Sequence, residues 1–280
     1  MEAAGLAFGH GTDNAFDDAC VLMRHALGLA FDADLTQERW EQALTAAQAN
    51  AFEALIARRI TERLPTPYIT GIAYAQGLAF ETAPNVIVPR SFVGELLANG
   101  GIEQWLANTP ARILDLCTGS GVIAIQAALA FDCHVVDAVD ISPEALVLAQ
   151  RNVAKHGLQN RVSVLDSDLF QALAGKKYDL ILSNPPYVNA ESMSALPAEY
   201  LHEPHLALAG GTDGMDIVRR MIAQAGDYLS DDGALVIEIG FEAPYFEAAF
   251  PALPFVYLPV TAGDDYVVFI AAKDLRVMLQ

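Results

Sequence analysis

A chain of 280 residues with 53% hydrophobic and 18% charged side chains carries enough apolar surface to offset the entropy of ordering it, which excludes global disorder, and its length suits two domains. Sixteen Lys+Arg against 35 Asp+Glu leave a net charge of −19, so the surface repels a phosphate backbone: independent nucleic-acid binding is disfavoured, and a basic protein partner is favoured. Cys20, Cys117 and Cys133 are odd in number and widely spaced, which suits neither a disulfide framework nor a zinc module and implies a reducing cytoplasm; with no basic leader at residues 1–14 and no apolar run of about 18 residues, a soluble protein without a membrane span is expected.

Residues 16–29 begin with Asp17 and Asp18 and near their end carry Gly28, the punctuation of a helix. From Thr36 to Leu64 apolar residues recur at Trp40, Leu44, Ala47, Ala51 and Leu55, with a second ridge of Phe52, Ile56 and Ile60, which predicts one long amphipathic helix. The opening residues thus form a small helical unit. After Pro65 and Pro67 the runs 74–80 and 82–88 predict the two strands of a hairpin linker. From Arg112 onward apolar runs at 113–117, 134–140, 162–166, 178–183 and 234–239 alternate with helical patterns. Strands too continuously apolar to keep a wet face indicate a parallel sheet covered on both sides. The runs 255–260 and 266–271 are too close together for a crossover helix, which implies an antiparallel terminal pair.

The first core strand runs into a glycine-rich turn, Ile113-Leu-Asp-Leu-Cys-Thr-Gly-Ser-Gly121, followed by a helical pattern. Glycines let backbone approach a ligand, and a helix start offers unpaired N–H groups. Asp140 ends the second strand, where a carboxylate accepts hydrogen bonds from both hydroxyls of a ribose. Together these features specify a nucleoside-bearing ligand. The stretch from Gly119 to Ala124 also satisfies the G-x-G-x-x-A dinucleotide fingerprint, so the glycines alone leave the ligand open. Asp115 favours S-adenosylmethionine, because an acid at the strand end can face a cationic amino-acid moiety instead of a pyrophosphate.

The fourth strand leads into Asn184-Pro-Pro-Tyr187 at the carboxyl edge of the sheet. Two prolines fix the backbone and remove two N–H donors, leaving carbonyl oxygens as acceptors. The Asn184 side-chain oxygen and the Pro185 carbonyl can take both hydrogens of a planar NH₂ group, with the Tyr187 ring packed against it. An amide nitrogen is a poor nucleophile because its lone pair is conjugated, and two rigid acceptors favour its pyramidalisation. Positioning then supplies most of the rate, with neither a metal nor a strong base required.

At these residues the chain resembles the HemK-type glutamine methyltransferases, and within them the PrmB branch, which modifies a glutamine of large-subunit ribosomal protein L-three. That branch is indicated by Pro67-Tyr-Ile-Thr70, Val88-Pro-Arg-Ser91 with Glu95, Asp115-Leu-Cys-Thr-Gly-Ser-Gly121, and above all by Glu199-Tyr-Leu-His-Glu-Pro204 through Gly211-Thr-Asp-Gly214. The resemblance implies an α/β, Rossmann-like S-adenosylmethionine-dependent methyltransferase fold: a mostly parallel seven-stranded sheet with an antiparallel terminal strand. It divides the chain into an N-terminal helical substrate-recognition domain (1–67), a β-hairpin linker (68–90) and a methyltransferase domain (91–280). It further implies cofactor contacts from Asp115, Cys117, Thr118, Gly119, Ser120, Gly121, Asp140, Asp168, Leu169 and Asn184, and amide binding by Asn184, Pro185, Pro186 and Tyr187. Asn184, Pro185 and Tyr187 are the expected catalytic set. Cys117 stands where many relatives have glycine, Leu169 where the release-factor branch can place an aromatic ring, and Phe92 where this branch has proline.

Other residues divide between roles. His202 and His205 bracket Glu203-Pro204, but proline argues against a regular helical zinc motif, and a loop that contacts the substrate protein or covers the amide site is expected. Cys117 is expected to pack rather than react. Glu238, a charge on an apolar strand, is a candidate pKa-shifted group near the site, and Arg90 is either a cation at the cofactor edge or a surface salt bridge. The expected activity is methyl transfer to a glutamine amide of a basic ribosomal protein. Its rivals are the release-factor (PrmC) branch, an N(6)-adenine methyltransferase, a nicotinamide oxidoreductase and a non-catalytic assembly factor.

Overall fold

The computed structural model describes residues 1–29, 36, 41–131 and 135–278. Asn14 opens the first helix, α1 (Ala15–Ala26), by accepting the Asp17 N–H, and Gly28 at φ 64° turns the chain away. The next helix is shorter than its apolar stripe suggests. Thr45 and Gln48 form a reciprocal capping box that starts α2 (Ala46–Thr61), so Leu44 lies before the cap, while Trp40 lies outside the described residues. Arg63, in left-handed backbone at φ 56°, and Pro65 bring the stretch to its end before the short α3 (Thr66–Thr70).

The hairpin also differs from its expected register. β1 (Ile72–Ala75) and β2 (Leu78–Glu81) pair antiparallel around Gln76 and Gly77, whose φ values of 50° and 77° make the two-residue turn that matches strand twist. Both strands therefore share what reads as one run, 74–80, extended by Ile72 and Ala73 before it and by Glu81 after it, and 82–88 is not a strand but the path to α4 (Phe92–Asn99).

The remaining elements are β3 (Arg112–Leu116), α5 (Val122–Ala130), β4 (Val135–Asp140), α6 (Pro143–Lys155), β5 (Val162–Asp166), β6 (Tyr178–Ser183), α7 (Ala190–Ser194), α8 (His205–Leu208), α9 (Asp216–Tyr228), β7 (Leu229–Glu238), α10 (Ala243–Ala249), β8 (Val256–Val260), β9 (Gly263–Ala271) and α11 (Ala272–Met278). The sheet order is β5-β4-β3-β6-β7-β9-β8, parallel except for β9, which runs antiparallel to both its neighbours. This is the Rossmann-like fold of S-adenosylmethionine-dependent methyltransferases. Strand alternation sends Ile113, Leu180 and Val236 to one buried layer with α4 and α5, and Leu114, Ile181 and Leu235 to the other with α9 to α11. Strand order reverses beside β3, between β4 and β6, which opens a crevice at the carboxyl ends of those strands.

Asn152 on α6 ties the hairpin to the rim of that crevice. Fully buried, it accepts the Glu81 N–H (2.7 Å) and donates to the carbonyls of Glu81 (3.2 Å) and Ser120 (2.9 Å). Replacing one member of such a network leaves buried backbone groups without partners. Asn152→Ala is therefore expected to lower stability in urea denaturation by about 2 kcal/mol, the cost of stranding such groups.

Candidate active site

A cleft of ≈ 320 Å³ lies at the carboxyl ends of β3, β4 and β6, walled by the linker on one side and by the loop after β5 and by α8 on others. The turn after β3 is left-handed at Cys117, Gly119 and Gly121, with φ of 59°, 55° and 84°. A Cβ would stand 3.3 Å from Ile87 Cγ2 at Gly119 and 3.2 Å from Ala149 Cβ at Gly121, so glycine relieves strain and crowding at both. The φ of Cys117 explains why glycine suits that position. Its thiol is pushed up by burial and by the nearby carboxylates of Asp140 and Asp115, which disfavours a thiolate.

Asp115 does not line the cleft. It is fully buried behind the turn, where its Oδ2 accepts the Thr118 hydroxyl (2.5 Å) and the Ala124 N–H (3.0 Å). Burial pushes its pKa up to about 7 against the pull of those two bonds. Asp140 does line the cleft: Oδ2 accepts the Gly119 N–H (2.8 Å) and Oδ1 the Ser142 N–H (2.9 Å), which aims both oxygens and leaves each a lone pair. Burial raises this carboxylate as well.

Ser167, Asp168 and Leu169 form a further wall. Leu169 is held in left-handed backbone at φ 51°, with its carbonyl accepting the Ser167 hydroxyl at 2.7 Å. The Asp168 carboxylate meets Arg220 Nη2 at 2.8 Å from each oxygen. Thr118, Gly119 and Ser120 also line the cleft, whereas Gly121 sits beneath it as the cap of α5.

Asn184 and Pro186 reach the cleft; Pro185 is buried, and Tyr187 packs against Gly240, where a Cβ would stand 2.5 Å from its ring. Asn184 Nδ2 donates to the Arg90 carbonyl (3.2 Å), which leaves Oδ1 as its acceptor. The Tyr187 hydroxyl donates to Glu238 Oε1 (3.0 Å), while Oε2 of Glu238 accepts the Ser91 hydroxyl (2.7 Å) and the Phe92 N–H (2.8 Å). A proline at position 92 would lack that donor. Burial raises the Glu238 carboxyl against these three bonds. Gly214 is required where the later loop crosses the tetrapeptide, since a Cβ would fall 2.1 Å from the Tyr187 carbonyl oxygen.

The linker is fixed by Glu203. Arg90 donates to both its oxygens at 2.6 Å, the Val88 N–H donates at 2.9 Å, and His10 Nε2 lies 3.4 Å away. Arg90 thus lines the cleft with its charge already paired. His202 touches the Glu62 carbonyl (2.9 Å), and His205 lines the cleft. Among the described residues no group of three or more His, Cys, Asp or Glu is placed to hold a metal. Sequence reasoning missed Ser167, Ile217, Arg220 and the hub role of Glu203. For the last the sequence holds no local signal, because the Arg90–Glu203 pairing spans more than a hundred residues of chain.

The chain matches the Methyltransferase small domain family over residues 102–203 and the PrmC N-terminal domain over residues 7–71. It is 48% identical over 278 residues to the ribosomal protein uL3 glutamine methyltransferase of Bordetella pertussis, covering 99% of this chain and 92% of that one. The enzyme of the same name from Burkholderia pseudomallei is 49% identical, with 97% and 91% covered. The chain belongs to the uL3 glutamine methyltransferase family. Among solved structures, the hMettl16 catalytic domain shares the fold at TM-score 0.57 and 14% identity, covering 92% of each chain, and a methyltransferase from Pyrococcus furiosus does so at 0.50 and 14%, covering 82% and 99%.

For this uL3 glutamine methyltransferase family member, Glu203 also sets an acid limit. Burial works against its charge, but Arg90 and the hydrogen bonds hold its pKa down at about 2, below the ordinary 4.5. A depressed folded-state pKa gives stability that is present above pH 4.5 and is lost as pH falls toward 2. Glu203→Gln should therefore cost about 3 kcal/mol at pH 7, the penalty of stranding a buried guanidinium. In pH-dependent thermal melts the variant should also show a shallower decline across that acid window than wild type, the remainder coming from Glu199 and Asp213, whose carboxyls are also lowered.

Proposed function

We propose that this chain transfers a methyl group from S-adenosylmethionine to the side-chain amide nitrogen of a glutamine in ribosomal protein uL3, a basic partner for an acidic enzyme in the cytoplasm. The observation that carries it is the corner at Asn184: the amide nitrogen is committed to the Arg90 carbonyl, so the side-chain oxygen faces outward as an acceptor beside a backbone stripped of donors by two prolines.

The residues present fit the methyl donor. The left-handed turn at Gly119 strains any side chain and crowds it against Ile87, and Asp140 presents two aimed oxygens to the hydroxyls of a ribose. Ile141, half exposed in the cleft wall, and Leu169 offer apolar surface to a base. Both arginines in the wall, Arg90 and Arg220, are already paired with carboxylates. Such a cleft favours a cationic ligand over the pyrophosphate of a nicotinamide dinucleotide. When bound, S-adenosylmethionine supplies an electrophilic methyl carbon on a cationic sulfur that leaves as a neutral thioether.

The chain itself orients the acceptor. Asn184 Oδ1 and the Pro185 carbonyl take the two hydrogens of the amide NH₂, holding the nitrogen lone pair toward the methyl carbon, and the Tyr187 ring fixes the plane. The proton shed by the nitrogen passes to solvent, because Glu238 already receives three donors.

Asn184→Ala should lower kcat for uL3 methylation by about 10²–10³, as loss of an aimed polar contact does, while titration calorimetry shows S-adenosylmethionine affinity changed by less than about threefold. Unchanged turnover would overturn the reading. Mass spectrometry of uL3 and release factors from cells with and without the gene separates the two branches: a missing methyl group on uL3 supports this assignment, and one missing on a release factor moves it to the sister branch.

A further inference from the structure

An exposed aromatic rim stands one residue from the acceptor corner. Gly240 lies against the Tyr187 ring, and the next residue, Phe241, is 81% exposed. It is not a loose side chain. The Ile239 N–H bonds the Tyr266 carbonyl (2.9 Å), and the Phe241 ring meets Tyr266 edge-on at 5.0 Å, which in turn meets Phe92 edge-on at 5.3 Å. Phe92 is the residue whose N–H is held by Glu238, the carboxylate that also holds Tyr187. The rim and the amide corner are therefore parts of one framework. Phe241 together with the half-buried Tyr266 and Phe92 forms a contiguous aromatic surface beside the site, the kind that marks a contact surface.

Charge identifies what fits it. From Met221 to Ala272, and again from Ser91 to Ala111, the chain has no lysine, arginine or histidine. These stretches build α4, β7, α10, β8 and β9, the elements around the rim. Exposed Asp264 and Asp265 stand beside Tyr266, and Glu95 holds the facing loop by accepting from the N–H (2.8 Å) and hydroxyl (2.7 Å) of Thr261. Acidic residues around a solvent-facing aromatic ring, with Arg90 near Tyr187 already paired with Glu203, favour cationic side chains, which gain from both the field and the ring face.

We propose that the polypeptide flanking the target glutamine docks across the Phe241–Tyr266–Phe92 rim as a basic segment, with lysine or arginine side chains on Phe241 and on Asp264 and Asp265. This rests on the reading of the site as a glutamine methyltransferase and states where its protein substrate lies. The rim supplies affinity and register, and the corner at Asn184 supplies the chemistry.

The test uses the full chain with recombinant, unmethylated uL3 and S-adenosylmethionine, comparing wild type with Phe241→Ala and with the double variant Asp264→Lys, Asp265→Lys. All three substitutions are at exposed positions, and unchanged thermal midpoints confirm folding. Each variant should raise KM for uL3 by about tenfold or more, as loss of an interface anchor does, with kcat and S-adenosylmethionine affinity kept. The double variant should also flatten the rise of KM with added salt. KM for uL3 unchanged in both variants, with wild type active, overturns the docking surface and leaves the methyltransferase reading intact. Absence of wild-type transfer to uL3 overturns both. A wild-type oligomer that becomes a monomer in Phe241→Ala would assign the rim to a second copy of this chain and overturn the proposal.

Discussion

One buried carboxylate holds the site together. Glu203 cannot remain ionised out of water without partners, and the partners it recruits are Arg90, the Val88 N–H and His10, from the linker and from the first residues of the chain. Fixing the Arg90 side chain fixes its carbonyl, and that carbonyl receives the Asn184 amide. The orientation of the Asn184 side-chain oxygen thus depends on the charge of Glu203, nineteen residues downstream. Four residues earlier Glu199 does the same for the helical unit, accepting Arg59 (3.3 Å), Arg63 (3.1 Å) and the Ala7 N–H (3.1 Å). The segment from Glu199 to Glu203 is a structural seat onto which linker and helices are bolted.

That seat also clarifies the charge balance of the cleft. A chain with 35 acidic residues and few cations spends its cations on internal pairs: Arg59 on Asp18 and Glu199, Arg90 on Glu203, Arg220 on Asp168, Lys176 on Asp137. What remains toward the ligand is carboxylate and carbonyl oxygen. The same excess that keeps phosphate away is an asset for a positively charged donor and for a basic protein acceptor.

Much of this was legible in the sequence because it is local. The alternation of apolar runs with helical periods marks β3 to β9, and the glycine turn and the Asn-Pro-Pro-Tyr corner are contiguous motifs whose backbone demands are set by residue type. The hairpin differs from its expected register because the turn residues Gln76 and Gly77 lie inside the run 74–80, which reads as one strand, and α2 starts later than its apolar stripe because a capping box interrupts a stripe whose spacing continues past it. Asp115 illustrates a different limit. The sequence suggests that it faces a cationic ligand, yet a strand-end acid can also turn inward to its own loop, and only packing decides; here it lies outside the cleft and its Oδ2 holds Thr118 and Ala124. Glu203 was quoted within a motif, but its partners are remote in sequence and no periodicity reports them.

Five carboxylates of the cleft and its seat differ by what they hold. Glu199 and Glu203, which bind cations, are depressed despite burial; Asp115, Asp140 and Glu238, which bind only N–H and O–H donors, are raised by it. Neither class is free to take a proton from an amide. Asp115 shapes the turn, Asp140 fixes the Gly119 backbone at the cleft wall, and Glu238 joins Tyr187 to the linker. An enzyme that needed a general base would keep one raised carboxyl uncommitted and within reach of the acceptor. A methyl carbon on a cationic sulfur needs only a nitrogen held still with its lone pair exposed. The work of the acidic residues is accordingly to immobilise backbone, so that two oxygens near Asn184 stay fixed while the substrate arrives.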